Sequence, residues 1–171
     1  MPLAIYIILG IFLFVWLLNI IAAIIMLCIL NKKITRRYHA INIMLQQLYD
    51  SLSNIANLIV DNGGEISSRA DDFLNKIDKV DLRDITIERR NRFLSNASSI
   101  KEELIELCQK NNLLEDPMYI TLINSIHEIE EQYRKSIAFY NSDIEAYNYW
   151  VRFIPIRLFS KLFRIKLKEK L

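Results

Sequence analysis

The chain has 171 residues, with 22 Lys and Arg against 20 Asp and Glu, and only two Cys, three Gly and three Pro. So few glycines and prolines argue against a turn-rich β fold and a glycine-rich phosphate loop. Two cysteines without Cys-x-x-Cys spacing argue against a disulfide framework and a zinc site, which suits a reducing compartment.

The first element is the uncharged run Leu3–Leu30, broken by one polar residue, Asn19. About 20 apolar residues cross the hydrocarbon core of a bilayer as a helix, so this run predicts a transmembrane anchor. Ahead of it stand only Met1 and Pro2; behind it come Lys32, Lys33, Arg36 and Arg37. The positive-inside rule then expects the N-terminus outside and the remainder in the cytoplasm. A cleaved export signal has the reverse layout, cations before a short apolar core.

Beyond the anchor, Ile34, Tyr38, Ile41, Leu45, Leu48, Leu52, Ile55 and Ile59 step by four and three without a miss, a heptad seam. With no breaker between, anchor and first soluble helix read as one rod ending at Asp61-Asn62-Gly63-Gly64. Ile66, Ala70, Phe73, Ile77 and Val80 continue the stepping. The stripe falters over Asp81–Asp84 and resumes in shifted phase at Phe93, Ala97, Ile100, Leu104 and Leu107. Two helices, about 65–80 and 86–110, fit this pattern, as does one bent helix. Asn111-Asn112 stops the second, and Asp116-Pro117 opens a helix to about 154, with Asp as cap and Pro in the first turn. Its face carries Ile126, Ile129, Tyr133, Ile137, Tyr140, Ile144, Tyr147 and Val151 until Pro155 breaks it.

Four soluble helices running down, up, down and up return the chain to the membrane at Pro155. The segment that follows, IRLFSKLFRIKLKEKL, sets Leu158, Phe159, Leu162 and Phe163 on one face, framed by Arg157, Lys161, Arg164 and Lys168. It reads as a basic amphipathic helix lying on an anionic leaflet. Basic ends beside an acidic middle fit the same surface; a nucleic-acid reader would more often carry its cations on the folded body. The expected organisation is therefore an anchor over 1–31, a helical bundle over 32–154 and a basic tail over 155–171.

The string EEQYRKSIAFYNSDIEAYNYWVRFIP, with Glu130, Tyr140-Asn141, Tyr147-Asn148 and Pro155, resembles the LemA family. Ser160–Phe163 is similar to that family's Ala-Lys-Leu-Phe tail, and Leu48–Ile55 to its Arg-Tyr-Asp-Leu-Ile-Pro-Asn-Leu element. Ile137 stands where the family usually has Arg, and Ser53 where it has Pro, as in a divergent member. The resemblance implies an all-α protein: a transmembrane helix, then a long antiparallel four-helix bundle, in a bacterial membrane, with no established enzyme activity; a cell-membrane protein that is not an enzyme and holds no cofactor is the expectation. One magnetosome-associated branch of the family is linked to membrane formation.

Tyr140 and Tyr147 lie seven apart on the seam with Asn141 and Asn148 beside it, while Asp50 and Asn54 are one turn apart on the first helix. At 1.5 Å per residue Asp50 and Asn141 fall at similar depths, so the two helices are expected to exchange hydrogen bonds. With Glu130 these residues form either a register-setting polar network or a site for a ligand or partner. His127 with Glu130 and Glu131 provides half of a di-iron pattern at most, with only His39 as a second imidazole. The expected function is a non-enzymatic, membrane-tethered scaffold or adaptor, with self-association possible and protein partners unnamed. The alternative is a lipid-binding or membrane-shaping protein acting through its tail.

Overall fold

The computed structural model describes residues 2–77, 86–152 and 165–171, which hold four helices and no strand. These are α1 (Pro2–Asp61), α2 (Ser68–Ile77), α3 (Ile87–Lys110) and α4 (Pro117–Arg152). Two compact units are distinguished: His39–Ile137, and Met1–Tyr38 with Ala138–Leu171.

α1 runs unbroken through sixty residues, Lys32–Arg37 included. It is long and apolar enough to cross a membrane by length and composition, with a mean hydropathy of 2.9 in its most apolar window. Residues 5–19 are exposed on every side. From Ile20 one stripe turns inward: Ile20, Ala23, Leu27, Leu30 and Ile34 are buried at steps of three and four. The packed seam therefore begins fourteen residues before Ile34, inside the apolar run. An all-apolar stretch offers no polar face against which the seam can be read.

Each helix end has a local cause. Gly63 takes a φ of 79°, its N–H donates to Val60 O and the Gly64 N–H reaches back to Ile59 O, closing α1 in a Schellman motif. A Cβ on Gly64 would stand 2.6 Å from Ile59 Cγ2 and 3.0 Å from Ile59 O. Gly64→Ala is therefore expected to cost about 1–3 kcal/mol through overpacking, read as a lowered denaturant midpoint. α2 starts on Ser67, whose Oγ accepts from Ala70 N at 3.0 Å, and α3 on Thr86, whose Oγ1 accepts from Arg89 N. A capped start at Thr86 makes α3 a helix of its own. α3 repeats the Schellman closure with Asn112 at φ 55° and Leu113 N donating to Cys108 O. Asp116 Oδ1 then accepts from Met118 N and Tyr119 N, which caps α4 with Pro117 in its first turn.

In the unit of His39–Ile137, Leu45, Leu48, Leu52, Ile55 and Ile59 of α1 share a core with Ala70 and Leu74 of α2, Phe93, Ala97, Ile100, Leu104 and Cys108 of α3, and Tyr119 and Ile126 of α4. Cys108, fully buried, takes the inner place expected of Leu107, which is only partly buried. Phe73 stacks on Phe93, and Tyr49 donates its hydroxyl to Leu74 O at 2.8 Å. Arg90 is 1 % exposed and donates from Nη2 to the buried Asn42 Oδ1 at 2.5 Å.

Burial, followed by the negative field of Asp116, pushes the Cys108 thiol above its ordinary value of 9.0. A raised value means that the folded state keeps the proton. Its contribution to stability is complete below the ordinary thiol range and is lost as pH rises beyond it. In a Cys28→Ser chain, maleimide at pH 8 should label Cys108 only after denaturation; labelling of the native chain would contradict this burial.

The expected amphipathic helix over 155–171 needs correction at its end. Residues 165–171 hold no regular secondary structure. Arg157, Lys161 and Arg164 lie outside the described residues.

Candidate functional site

Physics brings polar residues together in two places, one in each unit. In the unit that contains the chain's end, α4 offers a face repeating every seven residues, two turns of helix or roughly 10.5 Å. Asn148 donates from Nδ2 to Lys168 O at 2.8 Å and accepts from Lys168 N at 2.9 Å. Asn141 does the same with Leu171, 2.9 Å to its O and 2.9 Å from its N. Each side-chain amide thus pairs with both main-chain groups of one residue.

Residues 168 and 171 meet α4 three apart, in reversed chain direction. A helix would space them by about 4.5 Å, far short of the gap between the two asparagines. Three residues of polyproline II chain advance about 9.3 Å in one full turn, so a face recurs every third residue. A β-strand alternates with a period of two and would turn the second amide away. Of these three spacings, that of polyproline II is compatible with both pairings. The helix expected over the segment rests on neighbouring residues, whereas the two amide pairs come from residues 20 and 30 positions away.

Side chains add to the grip at one end. Lys168 Nζ sits 5.2 Å from the centre of the buried Tyr147 ring and donates to Asn31 Oδ1. Burial lowers the Lys168 ammonium from its usual value and raises the Tyr147 phenol. Lys170 pairs with Glu145.

One turn along, Asp143 was absent from the sequence-based set, and it is buried. Its two carboxylate oxygens take Lys33 Nζ at 2.8 Å and Arg37 Nε at 2.5 Å. Arg37 also lies over the Phe139 ring at 5.0 Å, and Tyr38 meets Tyr140 at 6.2 Å between ring centres. Lys33 and Arg37 are one helical turn apart, and Asp143 lies three residues after Tyr140, beside the seam residue Ile144. That spacing was the available signal.

The remaining expected residues belong to the other unit. Asp50 and Asn54 are exposed on α1 and line an open polar groove with Gln47, Ser51, Ser125, Glu128 and Gln132. Asp50 Oδ1 accepts from Gln46 Nε2 at 2.9 Å. Glu130 receives Lys101 Nζ at 2.5 Å, and His127 Nδ1 stands 3.9 Å from its second oxygen. Lys101 and Glu130 line a second groove with Leu48, Ala97 and Tyr133. Among the described residues no group of three or more His, Cys, Asp and Glu is placed to hold a metal ion.

The seven expected polar residues thus fall into two groups: Asp50, Asn54 and Glu130 with groove neighbours, and Tyr140, Asn141, Tyr147 and Asn148 beside the chain's end. Asn141 and Asn148 direct their amides to main chain in residues 165–171. No protein-family model matches the chain, and no curated protein or solved structure proves similar to it.

Proposed function

We propose that the protein is a single-pass membrane adaptor, anchored by Leu3–Leu30 with its N-terminus outside and its charged body in a bacterial cytoplasm. The body is read as an antiparallel four-helix bundle of LemA type that works by binding, without catalysis. One observation carries this reading: the exposed apolar band of residues 5–19 continues, within a single helix, into the residues of the polar groove. Such a band is costly in water at roughly 25 cal/mol for each Å² of apolar surface, and lipid removes that cost. Amides, hydroxyls and carboxylates in an open groove suit hydrogen bonding to a polypeptide, either another protein or a second copy.

The alternative, lipid binding through Arg157, Lys161, Arg164 and Lys168, is the weaker reading. Lys168 directs its ammonium to Asn31 and Tyr147 instead of outward.

A Ser125→Cys chain tests orientation: an impermeant maleimide should label it only in permeabilised cells. A photo-crosslinking residue at Asn54 should give a discrete protein adduct that Asp50→Arg abolishes. Labelling in intact cells would overturn the topology, and absence of any adduct would overturn the adaptor role. Binding to anionic vesicles that is lost only on neutralising the four cations would favour the lipid reading instead.

A further inference from the structure

We propose that the α4 face bearing Asn141, Tyr147 and Asn148 is a binding site for a peptide main chain in the polyproline II conformation. Residues 168–171 are its resident occupant, and a second extended peptide with Lys at its first and third positions can replace them.

The four hydrogen bonds from the two asparagines all go to main-chain N–H and C=O groups, so they are indifferent to the sequence they hold. Polyproline II chain makes no internal hydrogen bonds and leaves both of its main-chain groups open to an outside partner. A side-chain amide, with one donor and one acceptor side, complements one such residue. Selectivity resides in two cation positions: Lys168 between Asn31 and the Tyr147 ring, and Lys170 against Glu145.

The segment is held without a core of its own. Lys166, Leu167, Glu169 and Lys170 are exposed. A segment fixed by main-chain bonds, the half-buried Lys168 and the exposed Lys170, with little apolar burial, is exchangeable in a way that a packed helix is not. The site does not depend on the groove around Asp50 and Asn54, so it stands or falls separately from the adaptor reading.

The test uses the full chain in detergent micelles and a fluorescent peptide of residues 165–171, Ile-Lys-Leu-Lys-Glu-Lys-Leu. Proline is at home in polyproline II but has no N–H. Lys168→Pro with Leu171→Pro therefore weakens the resident segment and leaves the asparagines intact. This variant should bind the peptide about tenfold more tightly than the unaltered chain, because less of the site is already filled. A peptide N-methylated at the two amides matching Lys168 and Leu171 keeps every charge and side chain. At about fivefold for each net hydrogen bond, it should bind roughly 25-fold more weakly. Asn141→Leu with Asn148→Leu, added to the proline variant, should remove peptide binding while circular dichroism stays helical. The N-methyl comparison on the unaltered chain needs no variant to fold. Equal binding of methylated and unmethylated peptides would overturn the proposal, leaving charge attraction alone. So would a proline variant that binds the peptide no better than the parent chain.

Discussion

Asp143→Ala should lower the stability of the unit containing Met1–Tyr38 and Ala138–Leu171 by about 1–3 kcal/mol, the range for removing a buried partner of charged groups. The carboxylate is 9 % exposed and faces two cations from α1 at 2.8 and 2.5 Å. Its loss leaves Lys33 and Arg37 one turn apart with no intervening charge, so their mutual repulsion is added to the lost bonds. Lys33 and Arg37 keep 50 % and 30 % exposure, so water screens them and holds the cost below that of a fully buried triad. Asp143→Asn, which keeps an acceptor and loses the charge, should fall between. Asp143→Lys should exceed both, and added salt should narrow the gap between Asp143→Lys and Asp143→Ala. Thermal unfolding in micelles, followed across a salt series, reads all three. An Asp143→Ala midpoint equal to the parent's would remove Asp143 as the clasp between α1 and α4.

Arg90→Ala should cost about 3 kcal/mol, combining a cavity with the loss of a partner for buried Asn42 Oδ1. Arg90→Met should cost much less, to within about 1 kcal/mol of the parent, because it keeps the apolar stem and ends the burial of a charge. Equal losses from the two substitutions would show that the guanidinium's bonds, and not its volume, hold the site. A second readout bears on the charge alone. Burial raises the Tyr133 phenol and the Arg90 charge opposes that rise, so Arg90→Met should move the Tyr133 titration further upward. A raised phenol means that this part of the stability is complete below the ordinary tyrosine range and fades as pH climbs past it.

Arg90 shows what periodicity reveals and what residue type conceals. Counting back from Phe93, Ala97, Ile100 and Leu104, a step of three lands on Arg90, so the seam itself pointed there. Its charge suggested the surface, where most arginines lie. Elsewhere the pattern sufficed. The unbroken α1, its end at Asp61, the stop at Asn111-Asn112 and the start at Asp116-Pro117 all rest on contacts within six residues, which a linear reading captures. The seam positions Ile41, Leu45, Leu48, Leu52, Ile55 and Ile59 are all buried. Contacts that join distant residues were out of reach. Asp143 meets its cations across 110 and 106 positions, and its place beside the seam pointed to burial without naming its partners. For residues 165–171 the failure ran the other way. The helical face of Leu158, Phe159, Leu162 and Phe163 was carried on through them, although Ile165–Lys168 alternate with a period of two that no helix shares. Asn141 and Asn148 were legible as polar neighbours of a seam; that they hold main chain was not.

Two rulers lie side by side where those asparagines meet the chain's end: seven residues of one helix against three of another, roughly 10.5 Å against 9.3 Å. They agree to within the reach of an amide side chain, so both rungs close together in only one alignment. Shifting the segment by one residue rotates its open main-chain groups by a third of a turn and presents side chains to both asparagines at once. Sliding is therefore not a series of small losses. It is a step with no foothold until a full turn of three residues has passed. A pairing of this kind counts residues as a vernier counts divisions, and it can hold a chain in phase without recognising any of its letters.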